Sequence, residues 1–340
     1  GEPGKSLQHD YDSLQTGLSR DYSLHEYLPG EEIPPEVDVL LVIGGAGWSA
    51  DQVRPIDTYV MNGGKVLFAT KGLDVTTART FSASTVPSSP LLSMIESYGV
   101  RVGRDMVLDT ASRDYRLPQQ RPTGEIAWET IGRYPPWVSV QGPNVAVSHP
   151  ITARFTGLDL LWPSPLTAVP RDGVEETPLL TSSASSWLQE PPFVIDPYKV
   201  PQSGTGTARF TLAYALSGTF PSAFAGAGGA GGADTPTRSK PTRMLVVGDS
   251  DFASDLMQFS DSVANVFFIE NGILWLSGNA DLLSIKTRAG AEGKLDRIQD
   301  PATRSAIMVG APILNVVVIP LAVLVVGIVI RLRRRERGQS

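Results

Sequence analysis

The amino-acid sequence predicts an α/β fold: a doubly wound, mostly parallel sheet with a strand-rich insertion, followed by one C-terminal transmembrane helix. Three observations lead to this prediction. Strand and helix patterns alternate through the first part of the chain, prolines and short strand-like runs dominate the middle, and a long uncharged apolar segment precedes a basic tail. Alternating strand and helix patterns are typical of a sheet that is covered by helices.

The clearest strand-helix-strand unit lies between residues 37 and 70. VDVLLVI is a nearly continuous apolar run, as in a strand that is covered on both faces. Ser49 is placed to cap the following helix, Gly63 and Gly64 to end it, and KVLFAT to return to the sheet. Upstream of this unit, we expect a helix over Tyr11–Leu18 and a strand over Tyr22–Tyr27.

The rest of the chain divides by composition. We expect an extracytoplasmic α/β domain over residues 1–285, which contains the strand-rich insertion at about 100–241 and, within it, a flexible Gly/Ala loop at 223–241. NVFFIENGILWL, Asn265–Leu276, predicts an apolar helix that covers one face of the sheet. A juxtamembrane linker follows at 286–305, then a transmembrane helix at 306–330 and a basic cytoplasmic tail at 331–340.

The predicted membrane span, Ala306–Ile330, contains 25 residues without a charge. About 20 apolar residues suffice to cross the hydrocarbon core of a bilayer. A compact arginine run follows, and such runs mark the cytoplasmic side. The prediction is therefore a single span in the inner (cytoplasmic) membrane, with the bulk of the chain outside the cytoplasm. The arginines that set this orientation are Arg331, Arg333, Arg334 and Arg335.

Composition and charge exclude several classes of function. The 340-residue chain has no cysteine, which excludes disulfides, thiolate metal sites and a cysteine nucleophile, and fits an oxidising compartment. Residues 1–330 carry 24 basic and 34 acidic side chains. An acidic domain of this kind argues against nucleic-acid binding.

Two glycine-rich stretches resemble nucleotide-binding motifs without completing them. GEPGKS, residues 1–6, has the end of a phosphate loop but no preceding glycine or strand. Gly45, Gly47 and Ala50 match the spacing of a dinucleotide fingerprint, but the expected acidic residue at the end of the next strand is missing. We interpret both stretches mainly as turns, and Gly45 and Gly47 remain candidate ligand-binding residues.

Acidic residues follow the strand in RMLVVGDSDFASD. Asp249 and Asp251 come at the carboxyl end of that strand, where open α/β sheets bind ligands, and they are candidate ligand-binding residues. With Asp255 they could also share a divalent cation. The alternative, which we favour, is that Asp249 and Ser250 cap the following helix and that Asp251 is solvated.

The order of several sequence segments resembles that of a known family. The order of PPEVDVLLVIGG, IDTYVMNGGKVLF, SYGVRVGRDMVLD, SHPIT, TSSASSW, RMLVVGDSDFAS and NGILWLSGNADLLSI, followed by one terminal span, is similar to the GldG-like family of gliding-motility-type ABC transporter auxiliary components. The resemblance covers nearly the whole chain. It implies a fold like that of flavodoxins and class I glutamine amidotransferases, and a relation to a domain of intraflagellar transport proteins.

The resemblance also implies what the protein does. Family members are not known for catalysis or for a bound cofactor, and they act with the permease and ATPase subunits of an ABC system. They carry an upstream membrane span and a first strand, so we expect Gly1 to lie inside a longer polypeptide. Amidotransferase activity needs a cysteine, which this chain lacks. His149, in SHPIT, is better explained as a loop histidine than as a catalytic base.

Two functional hypotheses follow. The first is a non-catalytic, membrane-anchored auxiliary subunit whose domain binds a partner protein or an exported substrate. The second is an extracytoplasmic module that binds a ligand or a metal at the carboxyl edge of the sheet. In the predicted span, Asn315 is the residue most suited to assembly with another helix, because an amide in hydrocarbon gains from a hydrogen-bond partner.

Overall fold

The structure, a computed structural model, describes residues 10–77, 80–121, 124, 126–153, 155–225, 236–256 and 264–278. The predicted linker 286–305, span 306–330 and tail 331–340 lie outside the described residues, as do residues 226–235 of the predicted Gly/Ala loop. Among the residues that are described, no helix is both long enough and apolar enough to cross a membrane.

Within the described residues, helices and strands alternate at first, and strands then dominate. In chain order the elements are α1 (Asp12–Leu18), β1 (Leu40–Ile43), α2 (Ala50–Met61), β2 (Val66–Ala69), β3 (Leu73–Thr76), β4 (Ser82–Thr85), α3 (Pro90–Tyr98), β5 (Val100–Val102), β6 (Met106–Leu108), β7 (Ser112–Gln120), β8 (Ile126–Gln141), β9 (Gly157–Leu161), β10 (Leu166–Ala168), β11 (Val174–Thr181), β12 (Trp187–Gln189), β13 (Thr211–Gly218), β14 (Thr242–Val247) and α4 (Ala264–Leu276).

The central sheet has seven strands in the order β1-β2-β14-β13-β10-β5, and β11 also pairs with β13. Only the pairs β1–β2 and β2–β14 are parallel. The pairs β14–β13, β13–β10, β10–β5 and β13–β11 are antiparallel. The mostly parallel sheet predicted from the sequence is therefore wrong, and the sheet is mixed. Parallel neighbours need a crossover connection that is usually an α-helix, but no α-helix occurs in the described residues between β5 and β14.

The strand-rich segment at 100–241 is part of the same fold. It supplies β5 to β13, of which β5, β10, β11 and β13 join the central sheet. The others form a three-stranded sheet, β7-β8-β9, and the pair β6-β12. β13 hydrogen-bonds to β14, and through it the segment is joined to the parallel part of the central sheet.

Helices cover both faces of the parallel strands. Because neighbouring side chains on a strand point to opposite faces, β2 sends Phe68 towards α2 and α3, and Leu67 towards α4. α4 approaches the sheet closely at Gly272, where an added Cβ would lie 2.7 Å from Leu245 Cδ2. The predicted covering helix at the end of the domain is confirmed.

Local signals in the sequence identify the start and the end of α2 correctly. The Ser49 side chain accepts a hydrogen bond from the backbone N–H of Gln52, and the Gln52 side chain accepts one from the backbone N–H of Ser49, which completes a capping box. Gly63, with φ of +96°, follows the helix in a conformation that favours glycine. The capping box therefore defines where α2 begins, and Gly63 defines where it ends.

One predicted strand is not observed. Residues 22–27, for which the sequence predicts a strand, have no strand structure. They lie beside the outer side of β1, and together with that strand they line a groove. Residues 22–27 are not hydrogen-bonded into the sheet, whose edge strand is β1.

His149 lies against the α4 side of the molecule. Its ring is 5.1 Å from the ring of Trp275, and its Nδ1 accepts a hydrogen bond from the backbone N–H of Ile151. Burial, together with the nearby charge of Arg243, lowers the pKa of His149 from 6.5 to about 4. The neutral imidazole is therefore the form that the folded state favours.

We predict that His149 makes stability depend on pH. The folded pKa is below the unfolded one, so the unfolded state binds the proton more tightly, and the contribution of His149 is complete above about pH 6.5 and lost as the pH falls towards about 4. Replacing His149 by Phe should remove this part of the pH dependence. Urea unfolding of both proteins between these pH values measures it, and parallel profiles would contradict the prediction.

Candidate functional site

The candidate site lies at the carboxyl edge of the three parallel strands. Ile43, Ala69 and Val247 end β1, β2 and β14 in direct register. The residues that follow these strands therefore meet at one edge. These are the Gly45 loop, Thr70 and Lys71, and the segment Gly248–Asp251.

Two buried carboxylates and a buried ammonium group occupy this edge. Lys71 Nζ forms an ion pair with Asp251 Oδ2, and both side chains are only 4% exposed. Asp249 accepts hydrogen bonds from the backbone N–H of Leu161 and from that of Asp251, each at 2.7 Å. Burial raises the pKa of Asp249 to about 7, against the lowering effect of the Lys71 charge. The hydrogen bonds and the ion pair compensate the cost of burying these groups.

The carboxylate of Asp249 accepts from the N–H of Asp251 at the start of a short 3₁₀ turn, Asp251–Ala253. The N-cap residue of this turn is Ser250, which makes no side-chain capping hydrogen bond, so the cap expected of Asp249 and Ser250 together is not observed. The expectation that Asp251 is solvated is wrong, since Asp251 is buried. The physical reason is the ammonium of Lys71. It neutralises the carboxylate inside the protein and removes the need for water.

Trp162 forms the cover over the lysine. Its indole ring centroid is 5.2 Å from Lys71 Nζ, a distance suited to a cation–π interaction. Its Nε1 donates to Tyr134 Oη at 2.8 Å, and Tyr134 Oη donates to the carbonyl of Ile195 at 2.7 Å. Trp162 has a positive φ of 57°, which is unusual for a bulky residue. These contacts hold the strained residue in place.

The chain around Trp162 closes the edge of the sheet. The N–H of Ser164 donates to the carbonyl of Gly248 at 2.7 Å, and Ser164 Oγ accepts from the N–H of Gly72 at 3.0 Å. An added Cβ at Gly248 would lie 2.2 Å from the Ser164 carbonyl oxygen, and one at Gly72 would lie 2.2 Å from that of Gly103. Glycine at both positions therefore permits the backbone to pack directly across the strand ends.

The hydroxyl group of Thr70 at this edge has no hydrogen-bond partner among the described residues. Thr70 follows β2 and is fully buried, and the described residues provide no hydrogen-bond partner for its Oγ1. Buried hydroxyls are normally paired. Thr70 is thus the position at this edge where a water molecule or a small polar ligand would gain a hydrogen bond.

The two candidate glycines of the first loop have different surroundings. Gly45 has φ of +79°, and an added Cβ there would lie 2.8 Å from the ring of Trp48 and 3.0 Å from Leu91. The close packing of Trp48 and Leu91 leaves no room for a side chain at position 45, which explains why glycine occupies it. Gly47 faces open space. The structure places both glycines at the same edge as Asp249 and Asp251, but the nearest neighbours of Gly45 are apolar side chains.

Asp255 has a different role from the other two acids. Its carboxylate oxygens accept from the backbone N–H groups of Asp12 and Ser13, each at 2.9 Å, at the start of α1. This contact stabilises the helix N-terminus. Asp249, Asp251 and Asp255 therefore do not form the proposed cation site, and among the described residues no three acidic or histidine side chains are grouped to hold a metal.

Sequence reasoning missed Lys71 and Trp162. A signal for Lys71 was present: it follows a buried strand directly, as Asp249 and Asp251 do, and carboxyl ends of parallel strands meet at one edge. A lysine and two aspartates at that edge indicate an ion pair. No comparable signal existed for Trp162, because the loop that carries it reaches the site through antiparallel strands that were not predicted to join the sheet.

We predict that Lys71→Met destabilises the protein by about 3–5 kcal/mol, because it removes the ammonium partner of a buried carboxylate. Arg101→Met is the matched control, since Arg101 pairs with Glu96 on the surface with side chains 56% and 38% exposed. It should destabilise the protein far less than Lys71→Met, because a solvent-exposed ion pair contributes little to stability. Urea unfolding measures both. The double variant Lys71→Met/Asp251→Asn should recover part of the lost stability, because it also removes the unpaired carboxylate. Equally small effects of Lys71→Met and Arg101→Met would contradict the prediction.

A second prediction concerns the closed edge. Gly248→Ala should cost about 1–3 kcal/mol, because the new methyl group meets the Ser164 carbonyl and the backbone must move. Gly47→Ala adds the same group in open space and should change stability by less than about 0.5 kcal/mol. Thermal unfolding compares them. Similar melting temperatures for the two variants would show that the edge is not tightly packed.

Comparison with known proteins gives the family. A family model described as "ABC-type uncharacterized transport system" matches residues 1–281. Among curated proteins, a protein of Borreliella burgdorferi (strain B31) with the printed name "Uncharacterized protein" is 24% identical over 317 residues, and the match covers 90% of this chain and 58% of the relative. The chain thus spans somewhat more than half of that relative's length.

Among solved structures, the N-terminal domain of mmIFT52 is similar, with a TM-score of 0.43 and 14% identity over 81% of this chain and 93% of that domain. The family model, by contrast, extends from the first residue through α4, and so includes the whole candidate site. The protein accordingly belongs to this family of ABC transporter auxiliary proteins.

Proposed function

We propose that the protein is a non-catalytic accessory subunit of an ABC transport system, anchored in the inner membrane with its α/β domain outside the cytoplasm. The observation that carries this proposal is the family match over residues 1–281. On this proposal the α/β domain binds a partner protein or an exported substrate. The permease and the ATPase of the transporter are the partners.

The geometry of the carboxyl edge supports an accessory role. In an open α/β sheet, this edge is the usual place for a ligand or a catalytic group. Here Lys71 and Asp251 neutralise each other, Asp249 accepts two backbone hydrogen bonds, and Trp162 covers the lysine. These groups bind one another and hold the strand ends together. This arrangement favours a structural role for the edge over a catalytic one.

The membrane anchor of the proposal rests on the sequence. The 25 uncharged residues Ala306–Ile330 are long enough to span a bilayer, and the arginines after Ile330 favour a cytoplasmic tail. Asn315 is the group in this segment that would gain most from a neighbouring helix. A helix of the permease is the partner that we propose for it.

The alternative, a ligand-binding module at the carboxyl edge, is favoured by a single observation, the buried hydroxyl of Thr70 without a partner among the described residues. Calorimetric titration with Ca²⁺, nucleotides and sugars distinguishes the two functions. Saturable binding that Thr70→Val abolishes would favour the module. Heat signals at the level of dilution would favour the accessory subunit.

We predict that the full-length protein, purified by an affinity tag from detergent-solubilised native membranes, brings an ABC permease and ATPase with it. Asn315→Leu should lower their recovery, because interhelical hydrogen bonds of this kind contribute about 0.6–2 kcal/mol. Val316→Leu, one residue along, is the matched control and should leave recovery unchanged. Mass spectrometry quantifies the three proteins.

Two outcomes would argue against parts of this proposal. If the wild-type protein is recovered without any ABC component, the accessory role fails. If wild type and Asn315→Leu recover the transporter equally, the apolar segment is an anchor only, and the contact with the permease lies elsewhere.

A further inference from the structure

The carboxyl edge encloses two acidic side chains and one basic side chain. Asp249 and Asp251 are buried, with exposures of 0% and 3%, and Lys71 forms its ion pair with Asp251. If both acids are ionised, the cluster keeps one negative charge without a partner, and burying such a charge is costly. The cluster is electrically neutral only when its two carboxylates hold one proton between them.

Lys71 and Asp251 are the charged side chains that act on Asp249. Burial has the largest effect and disfavours the carboxylate of Asp249, the Lys71 ammonium favours it, and the Asp251 carboxylate disfavours it. Together with the two backbone N–H groups that Asp249 accepts from, these effects raise the pKa of Asp249 from 3.8 to about 7. The cluster therefore takes up its proton close to neutral pH.

The other elements that pack against Gly248–Asp251 carry charged groups with contacts of their own. Asp159 of β9 pairs with Arg113, whose Nε lies 2.9 Å from its Oδ1. α4 faces this segment with the neutral amide of Asn265, which donates to the carbonyl of Phe252. The acidic residue of α4, Glu270, lies more than one helical turn further along. The loop after β9, residues 162–165, is uncharged.

The loop after β9 is attached to the strand ends partly through Asp249. The Oδ2 atom of Asp249 accepts from the N–H of Leu161 at 2.7 Å, and the N–H of Ser164 donates to the carbonyl of Gly248 at 2.7 Å. Between these two contacts, Trp162 has a φ of 57°, a conformation that is strained for a bulky residue and persists only where its surroundings hold it. Movement of the loop away from the strand ends would release this strain and admit water to Asp249.

We propose that the carboxyl edge is a proton-operated latch. With one proton on its two carboxylates, the cluster is neutral, and residues 161–165 stay closed over the strand ends. When this proton leaves to the solvent, the buried negative charge favours an open form in which Asp249 is hydrated. The latch is therefore closed in mildly acidic surroundings and loosened above neutral pH. This regulation goes beyond the accessory role proposed above and does not depend on it.

The latch opens with rising pH because the closed form binds the proton more tightly. In the closed form the pKa of Asp249 is about 7, whereas a hydrated aspartate has the ordinary value of 3.8. The stability of the closed form relative to the open form is therefore complete below about pH 4 and lost as the pH rises towards about 7. Within this range, each pH unit should raise the opening equilibrium constant by up to about tenfold.

Hydrogen exchange of the full-length protein in detergent, from about pH 5 to about pH 8, tests the latch. The measured quantity is the protection factor of peptides that contain Leu161, which corrects for the direct effect of pH on amide exchange. His149→Phe serves as the parent protein, so that the titration of His149 does not overlap with that of Asp249. We expect the protection of these peptides to fall by at least about tenfold over this range. Peptides from α2, on the other face of the sheet, should keep their protection.

Asp249→Asn should abolish this pH dependence, because the amide has nearly the shape of the acid and does not titrate. Asp114→Asn is the matched control: it removes a carboxylate on β7 that is 51% exposed, and it should keep the pH dependence of the parent protein. Asp251→Asn gives a second test that does not require the first variant to fold. One carboxylate and one ammonium are neutral without a proton, so this variant should lose most of the pH dependence.

Three results would overturn the proposal. The first is protection of the Leu161 peptides that stays constant over the pH range in the parent protein. The second is a pH dependence that persists unchanged in Asp249→Asn or in Asp251→Asn. The third is an equal loss of protection in α2, which would mean that the whole domain unfolds and that no latch opens locally. All three can be obtained whether or not the protein acts with an ABC transporter.

Discussion

The buried ion pair between Lys71 and Asp251 is the interaction on which the organisation of this domain depends. It lies where β2 and β14 end, and these two strands come from segments of the chain about 180 residues apart. An unpaired charge at this depth would cost several kcal/mol. The pairing of β2 with β14 and the pairing of the two charges therefore stabilise each other, and a slip in register would lose both.

The remaining parts of the carboxyl edge are built around this pair. Trp162 covers the lysine, Ser164 bonds to both Gly72 and Gly248, and Asp249 holds the N–H of Leu161. The loop after β9 is thereby attached to the ends of the parallel strands. This loop leads into β10 of the antiparallel half and hydrogen-bonds to the residues that follow the parallel strands. It therefore links the antiparallel and the parallel halves of the sheet.

Local signals in the sequence were sufficient to predict several elements. Ser49 and Gly63 defined the limits of α2, and the apolar runs before Thr70 and Asp249 identified β2 and β14. The order and direction of the other strands could not be predicted, because they depend on pairings between distant segments. The burial of Asp251 was missed for the same reason. Its partner, Lys71, is distant in sequence, and no pattern near Asp251 indicates that it is buried.

The place of β14 in the sheet affects how the domain is made. This strand, Thr242–Val247, lies between β2 and β13 although it is the last strand of the described residues, and Asp255 just beyond it binds the first turn of α1. A nascent chain cannot complete the sheet or fix its first helix until more than 250 residues have been synthesised. Contacts between such distant segments slow folding, since the loops between them must be closed first. Until then β2 has an open edge, so the incomplete chain is the stage at which this domain is most exposed to wrong pairing and most in need of a chaperone.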